Sequence, residues 1–212
     1  SDVYKRQDRY RVATDFSKAK WPMVELGEVC ELIRGITYSK DDEVDSDGKK
    51  VLRAMNISLD GCLVLDDIKQ ISKNLSLKDS QKLKENDIFI CLASGSKDHI
   101  GKVAFIDKDQ EYYFGGFMGA IRVQKNKIVP LYLYAILKNE KFNNYLREVI
   151  NGANINNLNG KILNNFKIPL PPIEIQEKIV AELDSFQAII QGAKQIVKNW
   201  KPKIDIDPSW PI

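Results

Sequence analysis

IPLPPIEIQEKIVAELDSFQAIIQGAKQIVKNW, residues 168–200, decides the fold of this chain. Its apolar residues Ile179, Leu183, Phe186, Ile190, Ala193, Val197 and Trp200 follow one another at alternating spacings of four and three. That is the repeat of a coiled-coil seam, extended over about three heptads. Pro169, Pro171 and Pro172 suit an extended approach and a first helical turn, where the missing amide hydrogen is not needed. Glu174, Glu177, Glu182 and Asp184 precede Lys194 and Lys198, in agreement with the helix dipole, and Pro202 stops the helix. About 28 residues at about 1.5 Å each give a rod of roughly 42 Å, longer than one turn of duplex DNA. Each large side chain of the seam contributes about 1.5–3 kcal/mol when buried, so the seam needs a cover. Two covers fit the spacing: a partner helix, and the helix's own globular domain.

Upstream of the helix the pattern is that of a β-rich domain. It begins at Trp21 with WPMVELGEVCELIRG, where Val24, Leu26, Val29, Leu32 and Ile33 predict a short strand and then one or two helical turns. Residues 37–50 carry the acidic run DDEVDSDG and read as a solvated loop. VLRAMNI (51–57), CLVLDDIKQI (62–71), DIFICLAS (87–94), KVAFID (102–107) and YYFGGFMGAIRV (112–123) read as strands, with a short helix or turn after Ser76. From Pro130, LYLYAILKNEKFNNYLREVI reads as a helix or a broken pair of helices with a glycine C-cap at Gly152. The Asn-rich NGANINNLNGKILNNF (151–166) reads as a loop too polar to be core. The fold class is therefore α+β: a mixed, β-rich α/β domain followed by a long coiled-coil-type helix.

The 212 residues, with 43% hydrophobic content, suffice for one domain and an appendage. There is no run of 18 apolar residues and no signal-peptide pattern, so the expected location is cytoplasmic, away from membranes. Cys30, Cys62 and Cys91 form no CxxC pair and His99 is the only histidine, which leaves disulfide frameworks, metal clusters and histidine-dependent triads poorly supported. A net charge of +3 permits a polyanionic partner without announcing one.

Enzyme motifs fail on spacing. GSKDHIGK has five residues between Gly95 and Gly101, Val103 where a Mg²⁺-binding Ser or Thr is required, and a strand following instead of a helix. Aligning Gly48 to the glycine of a calcium loop puts Ala54 where a bidentate Glu belongs. FGGFMG (114–119) lacks the dinucleotide-binding spacing and reads as backbone kinks in a sheet. DPSW (207–210) lacks the second proline of an amino-methyltransferase motif. No catalytic residue, cofactor or metal is expected.

What remains is a set of polar side chains on loops: Thr37, Tyr38 and Lys40; Arg53 and Asn56; Ser94, Ser96, Lys97 and His99; Asn154, Asn156 and Asn157. Arg pairs with guanine and Asn with adenine in the major groove, while Lys and Ser hold phosphates. The set fits both a DNA-recognition surface and ordinary solvated loops. Lys20-Trp21-Pro22-Met23 recurs in kind as Ser209-Trp210-Pro211-Ile212, either by chance or because a second copy of the domain begins there.

WPMVELGEVCELIRG, LRAMNIS, NDIFICLASGSKDHIGKVAFI and, above all, FKIPLPPIEIQEKIVAELD resemble the specificity (S) subunits of Type I restriction-modification systems, over residues 21 to about 200. The resemblance implies that residues 21–167 are a DNA target recognition domain reading one half of a bipartite site. It makes 168–201 a spacer and dimerisation helix and 202–212 a tail leading to the start of a possible second repeat, while 1–20, polar, basic and without sustained periodicity, reads as a tag, a linker or the tail of an upstream segment. It implies double-stranded DNA and methyltransferase (modification) subunits as partners, with the restriction subunit beyond them, and no activity in this chain itself. It also implies pairing of the long helix, with a second copy or with a second recognition domain. Such subunits usually hold two recognition domains and this chain holds one, which fits a half-subunit, a piece of a longer protein, or the C-terminal recognition piece of a fused DNA methyltransferase. Where the family usually has glycine before the Asp of the strand at 87, Asn86 stands here, a residue that tolerates turn conformations. A coiled-coil protein-interaction scaffold is the rival function class.

Overall fold

The computed structural model describes residues 20–153 and 157–200. Segment 1–19, the site candidates Asn154 and Asn156, Pro202, the Asp207–Trp210 motif and the second Trp-Pro lie outside the described residues, as does the side chain of Lys97.

Among the described residues nine short strands form three sheets. β2 (Cys30–Arg34), β8 (Met118–Val123), β5 (Ile88–Cys91) and β6 (Val103–Phe105) make an antiparallel sheet in the order β2-β8-β5-β6. β4 (Lys69–Ile71), β3 (Lys49–Leu52) and β7 (Tyr113–Phe114) make a second, with β3 and β7 parallel. β1 (Met23–Glu25) pairs with β9 (Lys167–Pro169), so the first proline of the 168–200 stretch closes a strand facing Met23. The helices are α1 (Pro130–Leu137), α2 (Glu140–Ala153), α3 (Gly160–Asn164) and α4 (Ile173–Asn199).

β5 shows why its sequence is continuously apolar. All four of its residues are buried, and alternate ones serve opposite layers. Ile88 and Ile90 join the larger core with Leu133, Leu137, Phe142 and Leu146 of the helices. Phe89 and Cys91 join a second core with Leu52, Leu83, Phe114 and Met118. Phe89 meets Phe114 edge-on at 5.7 Å between ring centroids.

Several sequence expectations need correction. After β1 a single 3-10 turn (Leu26–Glu28), closed at the buried Val29, leads into β2, because Cys30–Arg34 pair with β8 rather than continue as a helix. Of residues 62–71 only Lys69–Ile71 forms a strand. The helical pair from Pro130 is broken at Lys138-Asn139, and α2 runs through Gly152 to Ala153 instead of being capped there. The Asn-rich segment is not a polar loop throughout: Leu158, Leu163 and Phe166 are buried in the larger core, and Asn159 caps α3 by accepting from the Ile162 N–H at 3.0 Å. Asn86 does take the left-handed conformation, with φ at 71°.

The long helix divides along its length. Gln176, Val180, Leu183 and Gln187 are buried, Ile179 packs against the larger core, and α4 lies on α1. Phe186, within that half, and beyond it Ile189, Ile190, Ile196, Val197 and Trp200 are exposed. Gln176 fastens the inner half. Its Oε1 accepts from the Val129 N–H at 2.8 Å, and its Nε2 donates to the carbonyls of Pro171 at 2.8 Å and Lys127 at 3.2 Å.

Candidate nucleic-acid interface

A tight turn, Gly115–Phe117, joins β7 to β8 and gathers the loops that the sequence singles out. Ile36 donates its N–H to Phe114 O at 2.7 Å and bridges to Gly115, which lays the first loop along the turn. A Cβ on Gly35 would stand 2.1 Å from Gly115 O, so only glycine permits this approach. Thr37 and Tyr38 are thereby delivered beside Gly116 and Gly115. Gly115 donates to Leu52 O at 2.9 Å, which brings the 3-10 turn Ala54–Asn56 and Arg53 alongside. Phe117 O accepts from the N–H groups of Leu92 at 2.8 Å and Ala93 at 3.1 Å, which anchors the Ser94–His99 loop. Asn157 bridges to Ala93, and Leu158 donates to Leu92 O at 2.7 Å. Loops far apart in sequence thus leave from one end of the sheets.

The side chains there differ in what they offer. Thr37, Lys40, Ser96 and Asn157 are exposed, while Tyr38, Arg53, Ser94 and His99 are half-buried. Burial first, and the charge of Glu43 second, push the Tyr38 phenol up, so its hydroxyl stays a donor at neutral pH. Arg53 Nη2 pairs with Asp67 at 3.0 Å, and its Nε finds no hydrogen-bond partner among the described residues. The pair fixes the guanidinium and leaves donors over. Ser94 Oγ accepts from the Ser96 N–H at 3.2 Å, shaping its own loop.

Asn56 does not belong in this set. It is 1% exposed, and its amide is committed: Oδ1 accepts from the Arg53 N–H at 2.7 Å, while Nδ2 donates to Val64 O at 2.8 Å and Asp67 O at 3.0 Å. It clamps the turn that carries Arg53 and reaches no ligand. Ile179 and Leu183 are likewise removed from a free helix interface, because both pack on the domain core. Phe186, Ile190, Ala193, Val197 and Trp200 of the seam stay exposed.

Sequence reasoning missed two features. Phe117 is 71% exposed at the centre of the gathered loops. The signal was present in FGGFMG, where an aromatic follows two glycines at a turn with no apolar residue to pair with. The second is a support: Asp87, 1% exposed, holds Arg122 through two bonds, Nε at 2.9 Å and Nη2 at 2.7 Å, and accepts the Lys84 N–H at 2.8 Å. The Asp87 carboxylate pushes the Arg122 guanidinium up. This fork ties β8 to the segment before β5. Among the described residues no group of three His, Cys, Asp or Glu is placed to hold a metal ion, and no helix is long and apolar enough to cross a membrane.

A mixed α/β domain thus collects polar loops at one end and carries a long helix whose outer half is exposed. Residues 18–199 match the Type I restriction modification DNA specificity domain, and the chain belongs to that family. It is 33% identical over 195 residues to the Type I restriction enzyme StySPI specificity subunit of Salmonella potsdam, a match covering 87% of this chain and 41% of that protein. To the EcoKI specificity subunit of Escherichia coli K12 it is 32% identical over 194 residues, again 87% of this chain and 41% of the relative. The chain thus spans about two fifths of the length of these curated relatives. The fold is shared with the HsdS subunit from Thermoanaerobacter tengcongensis, at a TM-score of 0.58 and 22% identity over 84% of this chain and 40% of that one. A structure described as the basis of complex assembly and conformational transition of the type I R-M system matches at a TM-score of 0.61 and 22% identity, with the same coverage of 84% and 40%.

Proposed function

We propose that this chain is a non-catalytic DNA-recognition unit of a cytoplasmic Type I restriction-modification system, reading one half of a bipartite duplex site. The observation that carries the reading is the convergence of the Thr37–Lys40, Arg53, Ser94–His99 and Asn157 segments on the Gly115–Phe117 turn. Together they present donors and acceptors suited to base edges and phosphates, held by backbone bonds rather than by loose loops. The exposed outer half of α4 supports the second part of the proposal: pairing with a second such helix, from another copy or another recognition domain, and docking of methyltransferase subunits along the pair. The seam of Phe186, Ile190, Ala193, Val197 and Trp200 has the spacing that helix pairing requires.

Selection from a random-sequence duplex pool with the purified chain, at low and near-physiological salt, tests this. Two short inverted half-sites at a fixed spacing are expected, one per copy, since a two-fold pair of proteins reads a palindrome. A single enriched half-site would retain the reading and remove the pairing. Absence of enrichment at both salts, with and without methyltransferase subunits, would contradict the reading and favour a protein-interaction scaffold.

A further inference from the structure

Phe117 is a large apolar side chain, 71% exposed, in the middle of a polar recognition surface. Its backbone is unusually well held. The carbonyl of Phe117 accepts from both Leu92 and Ala93, Met118 beside it is fully buried and donates to Gly115 O at 2.8 Å, and Gly115 donates to Leu52 O. A side chain exposed on so fixed a turn projects outward with its ordering cost already met by the fold. Its turn lies beside Thr37, which stands next to Gly116, and is bonded to Leu92 and Ala93 at the start of the Ser94–His99 loop and, through Gly115, to Leu52 just before Arg53. An exposed aromatic on a fixed turn that gathers loops of phosphate and base-edge donors matches the gap between two stacked bases, which apolar wedges open when they kink a duplex.

Building on the DNA reading above, we propose that Phe117 is a wedge residue that inserts at one base step of the bound duplex, unstacking and kinking it, so that the site is specified partly by how easily that step deforms. Pyrimidine–purine steps open most readily and are expected at that position.

The test uses the intact chain and duplexes carrying the selected site, with single mismatches moved one position at a time through it. At one step a mismatch supplies part of the unstacking in advance, and wild-type affinity should rise about fivefold there. Phe117→Ala should bind the matched duplex about tenfold more weakly and lose the mismatch gain, while Phe117→Leu should keep part of it. Donor and acceptor dyes on the duplex ends should report a bend with the wild type that Phe117→Ala reduces. Thermal unfolding of both variants serves as the check on folding. Failure of the wild type to bind any selected duplex would overturn the DNA reading and the wedge together. Unchanged binding by Phe117→Ala, with no step where a mismatch helps, would overturn the wedge alone. So would a Phe117→Ala defect confined to association with the methyltransferase subunit, which would make the residue a protein contact.

Discussion

The inner and outer halves of α4 carry one uninterrupted seam yet have opposite fates. From Ile173 to Gln187 the helix is part of the domain, with Val180 and Leu183 in the larger core and Gln176 bonded to three backbone groups. From Ile189 to Trp200 the same periodicity continues, but Ile189, Ile190, Ile196, Val197 and Trp200 are exposed among the described residues. Of the two covers that the spacing allows, the domain itself is the one used by the inner half. Rigid seating of the inner half fixes the direction in which the outer half leaves, so the helix can set the distance between a recognition domain and whatever pairs with it.

The largest effect is expected at the seat. Gln176→Ala leaves the Val129 N–H and the Lys127 and Pro171 carbonyls short of a partner, and should destabilise the domain by about 2–4 kcal/mol in urea unfolding. Leu183→Ala, at the rim of the core, should cost about 2 kcal/mol by the same measurement. A loss under about 0.5 kcal/mol in both would mean that the inner half is not part of the folding unit.

The outer half should behave in the contrary way. Val197→Asp, where the side chain is 76% exposed, should leave unfolding of the dilute chain within about 0.5 kcal/mol of wild type. It should nonetheless shift sedimentation at tens of micromolar from dimer to monomer, since a charge in a paired seam is buried without a partner. A wild-type chain that is monomeric at that concentration would show that a second copy is not the cover.

The smallest effect concerns the two cores, Cys30 in the one that seats the helix and Cys91 in the other. Burial pushes the Cys30 thiol up to about 12 and the Cys91 thiol up to about 11. At pH 8 both stay protonated, so an alkylating reagent should modify the half-exposed Cys62 at least about tenfold faster. Because the pKa values are raised, the buried thiols should gain reactivity only as pH climbs toward those values. Equal rates at pH 8 would indicate a core open to solvent.

The periodic features were legible in sequence. The long helix and a strand at β5 follow from local pattern, the choice left open after Pro130 between one helix and a broken pair resolves into the pair, and Asn86 takes the turn conformation that its residue type tolerates. What local pattern could not show was which polar residues turn inward. Asn56 looks like an adenine reader until its amide is seen bonded to Arg53, Val64 and Asp67, partners up to eleven residues away. Leu158, Leu163 and Phe166 look stranded among asparagines, yet the chain brings them back to the core. In sequence the candidate surface is a set of separate loops. Their common anchor is the Gly115–Phe117 turn, and that anchor is made by hydrogen bonds between segments too distant for any periodicity to record.

Competition between the selected duplex and a scrambled duplex of the same composition, at near-physiological salt, tests the central claim most directly. Sequence reading by the gathered loops predicts a preference of about a thousandfold or more, reduced when Thr37, Ser96 and Asn157 are changed together to alanine. Equal affinity for the two duplexes would contradict it, because backbone charge alone holds any sequence equally well.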